Sequence, residues 1–195
     1  LYRGAGHTRP RRDRLMRLYL VRHPKPDVPA GHCYGRTDLP AQATDTERVL
    51  AALNHQNLPG AMPVYASPLQ RSAVLAQQLS SAPTFDARLA EMDFGAWELR
   101  HWDDIARDEI DAWNADLLHY RPGGGENVLQ VAVRVAAFRA DIQRVGHAKA
   151  LVICHAGTMR LLHAMSGGGT LEDAALRAAS TPHQIGYGEV MVLEI

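Results

Sequence analysis

The chain has 195 residues, 46% of them apolar, and its 21 basic and 21 acidic side chains cancel to a formal charge of zero with His neutral. That length suits one compact domain burying roughly 70% of its extended-chain surface, and the neutral balance leaves no global pull toward nucleic acid or an anionic membrane. No apolar stretch approaches a membrane span, no signal-peptide pattern appears, and Cys33 and Cys154 make neither a disulfide framework nor a Cys-x-x-Cys zinc pair, so a soluble, cytoplasmic protein is expected.

Charge is nevertheless uneven. Residues 1–17 carry six arginines against one acid, Asp13, without an apolar period. Residues 1–16 are therefore expected to form a disordered, solvated basic extension rather than an arm for RNA or acidic lipid, and residues 17–195 a single domain. The apolar run 18–21 closes on Arg22-His23-Pro24 and predicts a buried parallel strand. A Pro- and Gly-rich loop, 24–41, hangs over its end, and a loop of that length is usually functional. A helix follows over 44–57, capped by Thr44 or Asp45, with Val49, Leu50 and Leu53 on one side, then a strand over 63–66. Ser67-Pro68 reads as an N-cap with Pro at the first helical position, opening a helix to Leu79 that carries Arg71 in its first turn. Residues 85–89 read as extended, 103–116 as a charged helix, and 121–125 as a loop. The clearest period in the chain, Val128, Val131, Val135, Phe138, Ile142 and Val145, marks a helix over 126–145. A second buried strand, 151–154, stops at His155-Ala156-Gly157, followed by a helix over 158–165 and a terminal strand over 189–195. Alternating strands and helices predict an α/β three-layer sandwich, with a mostly parallel sheet flanked by helices.

In such sheets ligands gather at strand carboxyl ends, where His23 and His155 would share one crevice. With Arg22 and Arg71 they make a cationic site suited to a tetrahedral dianion such as a phosphate monoester. Neighbouring guanidinium groups disfavour a charged imidazole, which keeps His23 neutral and nucleophilic. A carboxyl group beside a bound dianion is favoured in its neutral, proton-donating form, and Glu91 is the candidate acid. Trp97 and Glu98 read as a packing corner. Gly123-Gly124-Gly125 lacks the Lys-Ser/Thr of a P-loop, and the remaining histidines lack metal-ligand spacing, so neither a metal nor another cofactor is expected.

Five ordered segments resemble the histidine phosphatase superfamily, the phosphoglycerate-mutase-like phosphatases, over most of 17–195. They are Leu20-Val21-Arg22-His23, Ala66-Ser67-Pro68-Leu69-Gln70-Arg71-Ser72-Ala73, Leu89-Ala90-Glu91-Met92-Asp93-Phe94-Gly95-Ala96-Trp97-Glu98, Gly124-Gly125-Glu126-Asn127 and Cys154-His155-Ala156-Gly157-Thr158-Met159-Arg160. The resemblance implies a phosphohistidine on His23, phosphoryl oxygens held by Arg22, Arg71 and His155, and proton donation by Glu91. Within the family, residues 31–38 and Met92-Asp93-Phe94-Gly95 look most like α-ribazole phosphatases, which remove the 5′-phosphate of α-ribazole phosphate during cobalamin assembly. His32, Tyr34 and Arg36 are expected at the substrate mouth, with Arg36 counted among the phosphate-binding groups. The expected partner is a small phosphate ester, with no nucleic acid and no membrane. The same core serves sugar-phosphate and phosphoprotein phosphatases and mutases; a catalytically silent phosphate binder or an RNA-binding protein is the alternative of a different class. The chain departs from the family pattern at Pro24, where relatives usually have Gly or Thr, at Pro29, where many have an Asn, and at Ala156, often a Gly.

Overall fold

A computed structural model describes residues 15–195 except Asn57 and His183. Strands β1 (Arg17–Arg22), β2 (Val64–Ala66), β3 (Thr84–Phe85), β4 (Lys149–Cys154) and β5 (Val190–Glu194) form one sheet in the order β3-β2-β4-β1-β5. The first four run parallel and β5 pairs antiparallel with β1. Both faces are covered, which is why the central strands read as unbroken apolar runs. On β1, Leu18 and Leu20 face one cluster while Tyr19 and Val21 face the other. The first cluster packs against α4 (Val128–Val145), α5 (Ala156–Met165) and α6 (Leu171–Ser180) through Val135, Phe138, Met159, Leu162 and Ala175. The second packs against α1 (Ala43–His55) and α2 (Gln70–Leu79) through Val49, Leu53, Leu75 and Ala76. This is the expected three-layer sandwich. A smaller cluster of Cys33, Trp97 and Ile105 lies beneath the loops, packed against Trp113 of α3 (Arg107–Ala115).

Most elements fall where periodicity puts them; their ends do not. The expected basic extension lies, over residues 1–14, outside the described residues, as does Asn57 at the end of the expected first helix. Met16, assigned to that extension, is buried in the first cluster and donates its N–H to the Ile195 carbonyl at 2.9 Å. Neither expected cap of α1 acts as one: Gln42 holds the cap position with no side-chain bond, and Asp45 instead accepts the Lys25 N–H at 2.6 Å. Helix α2 starts at Gln70 rather than at Pro68, and the Gln70 N–H is taken by Asp38 Oδ1 at 2.7 Å. A cap from so far along the chain carries no local signal. The stretch 85–89 is extended only at Phe85, then tightens into a 3-10 turn, Ala87–Leu89. The charged segment divides into a 3-10 turn, Trp102–Asp104, and α3. Helix α4 opens two residues later than expected, on a capping box of Asn127 and Gln130. Helix α5 starts at Ala156, directly after His155. Helix α6 was not expected, although Thr170-x-x-Asp173 is a legible capping box; its buried face is Ala174, Ala175 and Ala178, too weakly apolar to stand out. No helix among the described residues is long and apolar enough to cross a membrane.

Candidate active site

Three neighbouring strands deliver three polar residues to one edge of the sheet. The His23 N–H donates to the Cys154 carbonyl and the Ser67 N–H to the Ile153 carbonyl, both at 3.0 Å, so the ladder carries on one step past the strand ends. His23 and His155 are both buried, with ring centroids 4.9 Å apart. Their convergence is the central expectation of the sequence, and the fold meets it.

The hydrogen bond from His23 Nδ1 to the Pro24 carbonyl, 2.6 Å, sets the tautomer, because a carbonyl can only accept. In the neutral ring the lone pair then sits on Nε2. Pro24, the departure from the family pattern, thus leaves intact a main-chain carbonyl that orients His23. Burial is the main cause that pushes His23 down to about 3; the charge of Arg71 adds to it, the Pro24 bond opposes it, and Arg22 adds further. The neutrality expected from the arginines therefore comes first from desolvation. His155 is held well below its usual range by burial, then by His23, Arg71, Arg134 and Arg22. It shares a 2.8 Å hydrogen bond between Nε2 and Ser67 Oγ. Ser67, read as a helix cap, bonds His155 and also accepts the Leu69 N–H at 3.3 Å ahead of α2.

A pH dependence of stability follows from His23. Between 6.5 and about 3 the unfolded chain takes up a proton that the folded chain refuses. Stability contributed by the neutral imidazole is thus intact above pH 6.5 and falls with acidification by about 1.4 kcal/mol per pH unit across that window. In urea unfolding, lowering the pH from 6.5 to 5.5 is expected to cost the parent about 1 kcal/mol more than it costs His23→Gln. Identical slopes would show that burial does not hold this ring neutral.

Arg71 is wholly buried on α2. Its guanidinium donates to the Thr37 carbonyl at 2.8 Å and to the Gly35 carbonyl, tying the long loop over the site. Burial lowers its affinity for the proton, opposed by the more distant charges of Glu91, Tyr34, Glu98 and Asp38. Arg22 donates to the Ile185 carbonyl at 2.5 Å and lies 4.0 Å from the ring centre of Tyr187, whose hydroxyl is 2.8 Å from that of Tyr34. Three buried atoms with no hydrogen-bond partner belong to this group: Arg22 Nε, Arg71 Nε and His155 Nδ1. Buried polar groups are rarely left so, and these three lack an acceptor within the protein.

Glu91 enters from a segment that is neither helix nor strand. Its Oε1 accepts the Met92 N–H at 3.0 Å and its Oε2 the Gly157 N–H of α5 at 3.1 Å. A Cβ at position 157 would press on Glu91 Oε1, so any larger residue there would shift the Glu91 carboxylate. Arg22, His23 and Glu91 line one cavity of about 440 Å³ together with Met92, Phe94, Trp102, Trp113 and Leu161, while the buried Arg71 and His155 are not on its wall. His32 and Tyr34 line it too, as expected of the mouth. Arg36 does not join them: its side chain is 60% exposed and lies 3.9 Å from Asp93. Its backbone is what the loop holds in place, because its N–H donates to Glu98 Oε1 at 2.9 Å while the side chain points elsewhere. Pro29 is exposed on the same loop.

Several contributors escaped the sequence. Glu98, taken for a packing residue, accepts from the N–H groups of Gly35, Arg36, Thr37 and Phe94 and from the Thr37 hydroxyl. Burial pushes its carboxyl up, but these donors outweigh it and leave Glu98 below the usual carboxylate range. Tyr187 sits in a stretch without periodicity. Arg160, the last residue of the second histidine motif, lines the cavity while donating to the carbonyls of Ala178, Ala179 and Thr181.

Residues 18–185 match the family model for the histidine phosphatase superfamily (branch 1). The chain belongs to this superfamily, and it is a phosphatase-family enzyme. It is 31% identical over 158 residues, 75% of this chain and 77% of the relative, to the adenosylcobalamin/α-ribazole phosphatase of Escherichia coli K12. Over 151 residues it is 28% identical to a protein named probable phosphoglycerate mutase from Enterobacter sp. (strain 638), covering 72% of this chain and 70% of that one. Among solved structures, the α-ribazole phosphatase from Shigella flexneri superposes with a TM-score of 0.77 at 26% identity, over 91% of this chain and 89% of that one. The family match, residues 18–185, includes both histidine motifs.

Proposed function

We propose that this histidine phosphatase hydrolyses a phosphate monoester through a phosphohistidine on His23, and that its substrate is α-ribazole 5′-phosphate. The observation that carries the chemistry is the pairing of a neutral, oriented imidazole with buried, unpartnered Arg22 Nε, Arg71 Nε and His155 Nδ1. With Ser67 donating to His155 Nε2, the proton of His155 sits on Nδ1, and a phosphoryl group supplies the acceptor that this atom and the two guanidinium groups lack. His23 Nε2 attacks phosphorus in line, the ester P–O bond breaks, and the departing oxygen takes a proton from Glu91. Water then attacks the phosphohistidine, gives a proton to the Glu91 carboxylate, and inorganic phosphate leaves as the N–P bond breaks. The arginines and His155 offset the phosphoryl charge throughout, and positioning supplies much of the remaining rate.

The cavity wall favours the substrate. Beyond the phosphate end it is made of Met92, Phe94, Trp102, Trp113, Val128 and Leu161, a surface for a flat apolar group such as the base of α-ribazole. The names of the E. coli and S. flexneri relatives point the same way.

The test compares kcat/KM for α-ribazole 5′-phosphate, 3-phosphoglycerate and p-nitrophenyl phosphate in the parent and in Glu91→Gln. The parent is expected to prefer α-ribazole 5′-phosphate without any bisphosphate requirement. Glu91→Gln is expected to lose about 100-fold or more on that alkyl ester and much less on p-nitrophenyl phosphate, whose leaving group needs little protonation. Preference for 3-phosphoglycerate would overturn the substrate. Equal losses on both esters would remove the acid role from Glu91.

A further inference from the structure

We infer that Arg134 is a positioning residue for the general acid, acting with Glu126 as a clamp on the segment that carries Glu91. The inference rests on the reading of Glu91 as proton donor. Glu91 sits between a 3-10 turn ending at Leu89 and the next one, Gly95–Trp97, and residues 90–94 join no sheet ladder. Their main-chain groups must find partners elsewhere. Arg134, on α4, supplies them for the carbonyls on either side of the acid's Cα. Its Nη1 donates to the Arg88 carbonyl at 2.8 Å and the Ala90 carbonyl at 2.7 Å, and its Nη2 to the Glu91 carbonyl itself at 3.2 Å.

The remaining donors form a fork on Glu126, from Nε to Oε1 and from Nη2 to Oε2, both at 2.9 Å. Every N–H of the guanidinium is thereby engaged, which a lysine with a single nitrogen cannot reproduce. Glu126 closes the far side: its Oε2 accepts the Asp93 N–H at 3.0 Å, and its own N–H donates to the Asp93 carbonyl at 2.8 Å. The chain is gripped on both sides of Glu91 by one ion pair, whose side chains are each only 19% exposed. The carboxylate of Glu91 is held separately, by Gly157 and Met92. Helix α4 thus sets where the acid's backbone lies, and α5 sets where its oxygens point. A misplacement of about 1 Å can cost about 100-fold in a step that depends on alignment.

The experiment measures kcat/KM on an alkyl phosphate and on p-nitrophenyl phosphate for the parent, Arg134→Lys, Glu126→Gln, Glu91→Gln and the Arg134→Lys/Glu91→Gln double variant, with urea unfolding as the check on folding. Arg134→Lys is expected to lose at least about 10-fold more on the alkyl ester than on p-nitrophenyl phosphate, because only the former depends on the acid. The double variant is expected to fall no further on the alkyl ester than Glu91→Gln alone, since a clamp has nothing left to position. Glu126→Gln, which keeps the shape of the carboxylate, is expected to show the same selectivity and decides the matter if Arg134→Lys does not fold. A selective Glu91→Gln beside unselective clamp variants, or full additivity in the double variant, would overturn the clamp alone. An unselective Glu91→Gln would overturn the acid assignment, and the clamp's role with it.

Discussion

His23→Ala is expected to lose kcat/KM by about 10⁴-fold or more on every phosphate ester and to take up no radiolabelled phosphoryl group. The size follows from what the ring supplies. Its Nδ1–H is spent on the Pro24 carbonyl, so the lone pair is presented on Nε2 without a search for the right tautomer. Burial pushes its pKa down to about 3, with the charge of Arg71 assisting, so at neutral pH essentially every molecule holds the nucleophilic form. Alanine removes the nucleophile but leaves Arg22, Arg71 and His155 to hold the anion, so inhibition by inorganic phosphate should change far less than turnover. Rapid quenching into alkali provides the direct check, because a phosphohistidine survives base and is lost when the quenched protein is acidified. Parental turnover in a variant freed of contaminating phosphatases would end the case for covalent chemistry at this ring.

Arg71→Ala is expected to weaken inhibition by inorganic phosphate or vanadate by about 100-fold and to lower stability as well. The two effects have separate origins. The guanidinium is a wholly buried cation, and among the described residues no carboxylate forms an ion pair with it. Such a charge is costly unless an anion meets it. It also satisfies the carbonyls of Thr37 and Gly35 on the loop above the site. Leaving those two acceptors unpaired costs about 1–3 kcal/mol each, partly offset by relief of the buried charge. Arg71→Lys keeps the charge and loses the planar fork, so it should recover part of the anion affinity and little of the loop. Urea unfolding and inhibition measured on the same preparations tell the roles apart. Unchanged inhibition in Arg71→Ala would restrict this side chain to bracing the loop.

The two outcomes bear on how the site is encoded. Residues 18–21 and 151–154 are apolar on both faces, and their endings at Pro24 and Gly157 mark where each strand stops; these patterns alone brought His23 and His155 to one sheet edge. The period of α4 did the same for the helix layer. Arg36 shows the limit. Its place on the loop was legible, but its side-chain direction depends on Glu98, which draws in the N–H groups of residues 35–37 from more than sixty positions away. Ser67 has the composition of a helix cap and is claimed by His155, while the true partner at the start of α2 is Asp38. Arg134 lies on α4 and Glu126 just ahead of its cap, and nothing in their spacing says which carbonyls the arginine will reach.

Amino-acid order settled whatever depends on neighbours two to four residues away: which stretches are strands or helices, which faces are buried, and which residues stand at the strand ends. Those are properties of backbone period and burial, and they are written locally. The folded chain alone established the orientation of His23 Nε2, the seating of Glu91 between α4 and α5, the grip of Arg71 on the loop, and the exposed placement of Arg36 beside Asp93. Each of these is a directional hydrogen bond, and its partner is chosen by distance and angle after the layers have packed.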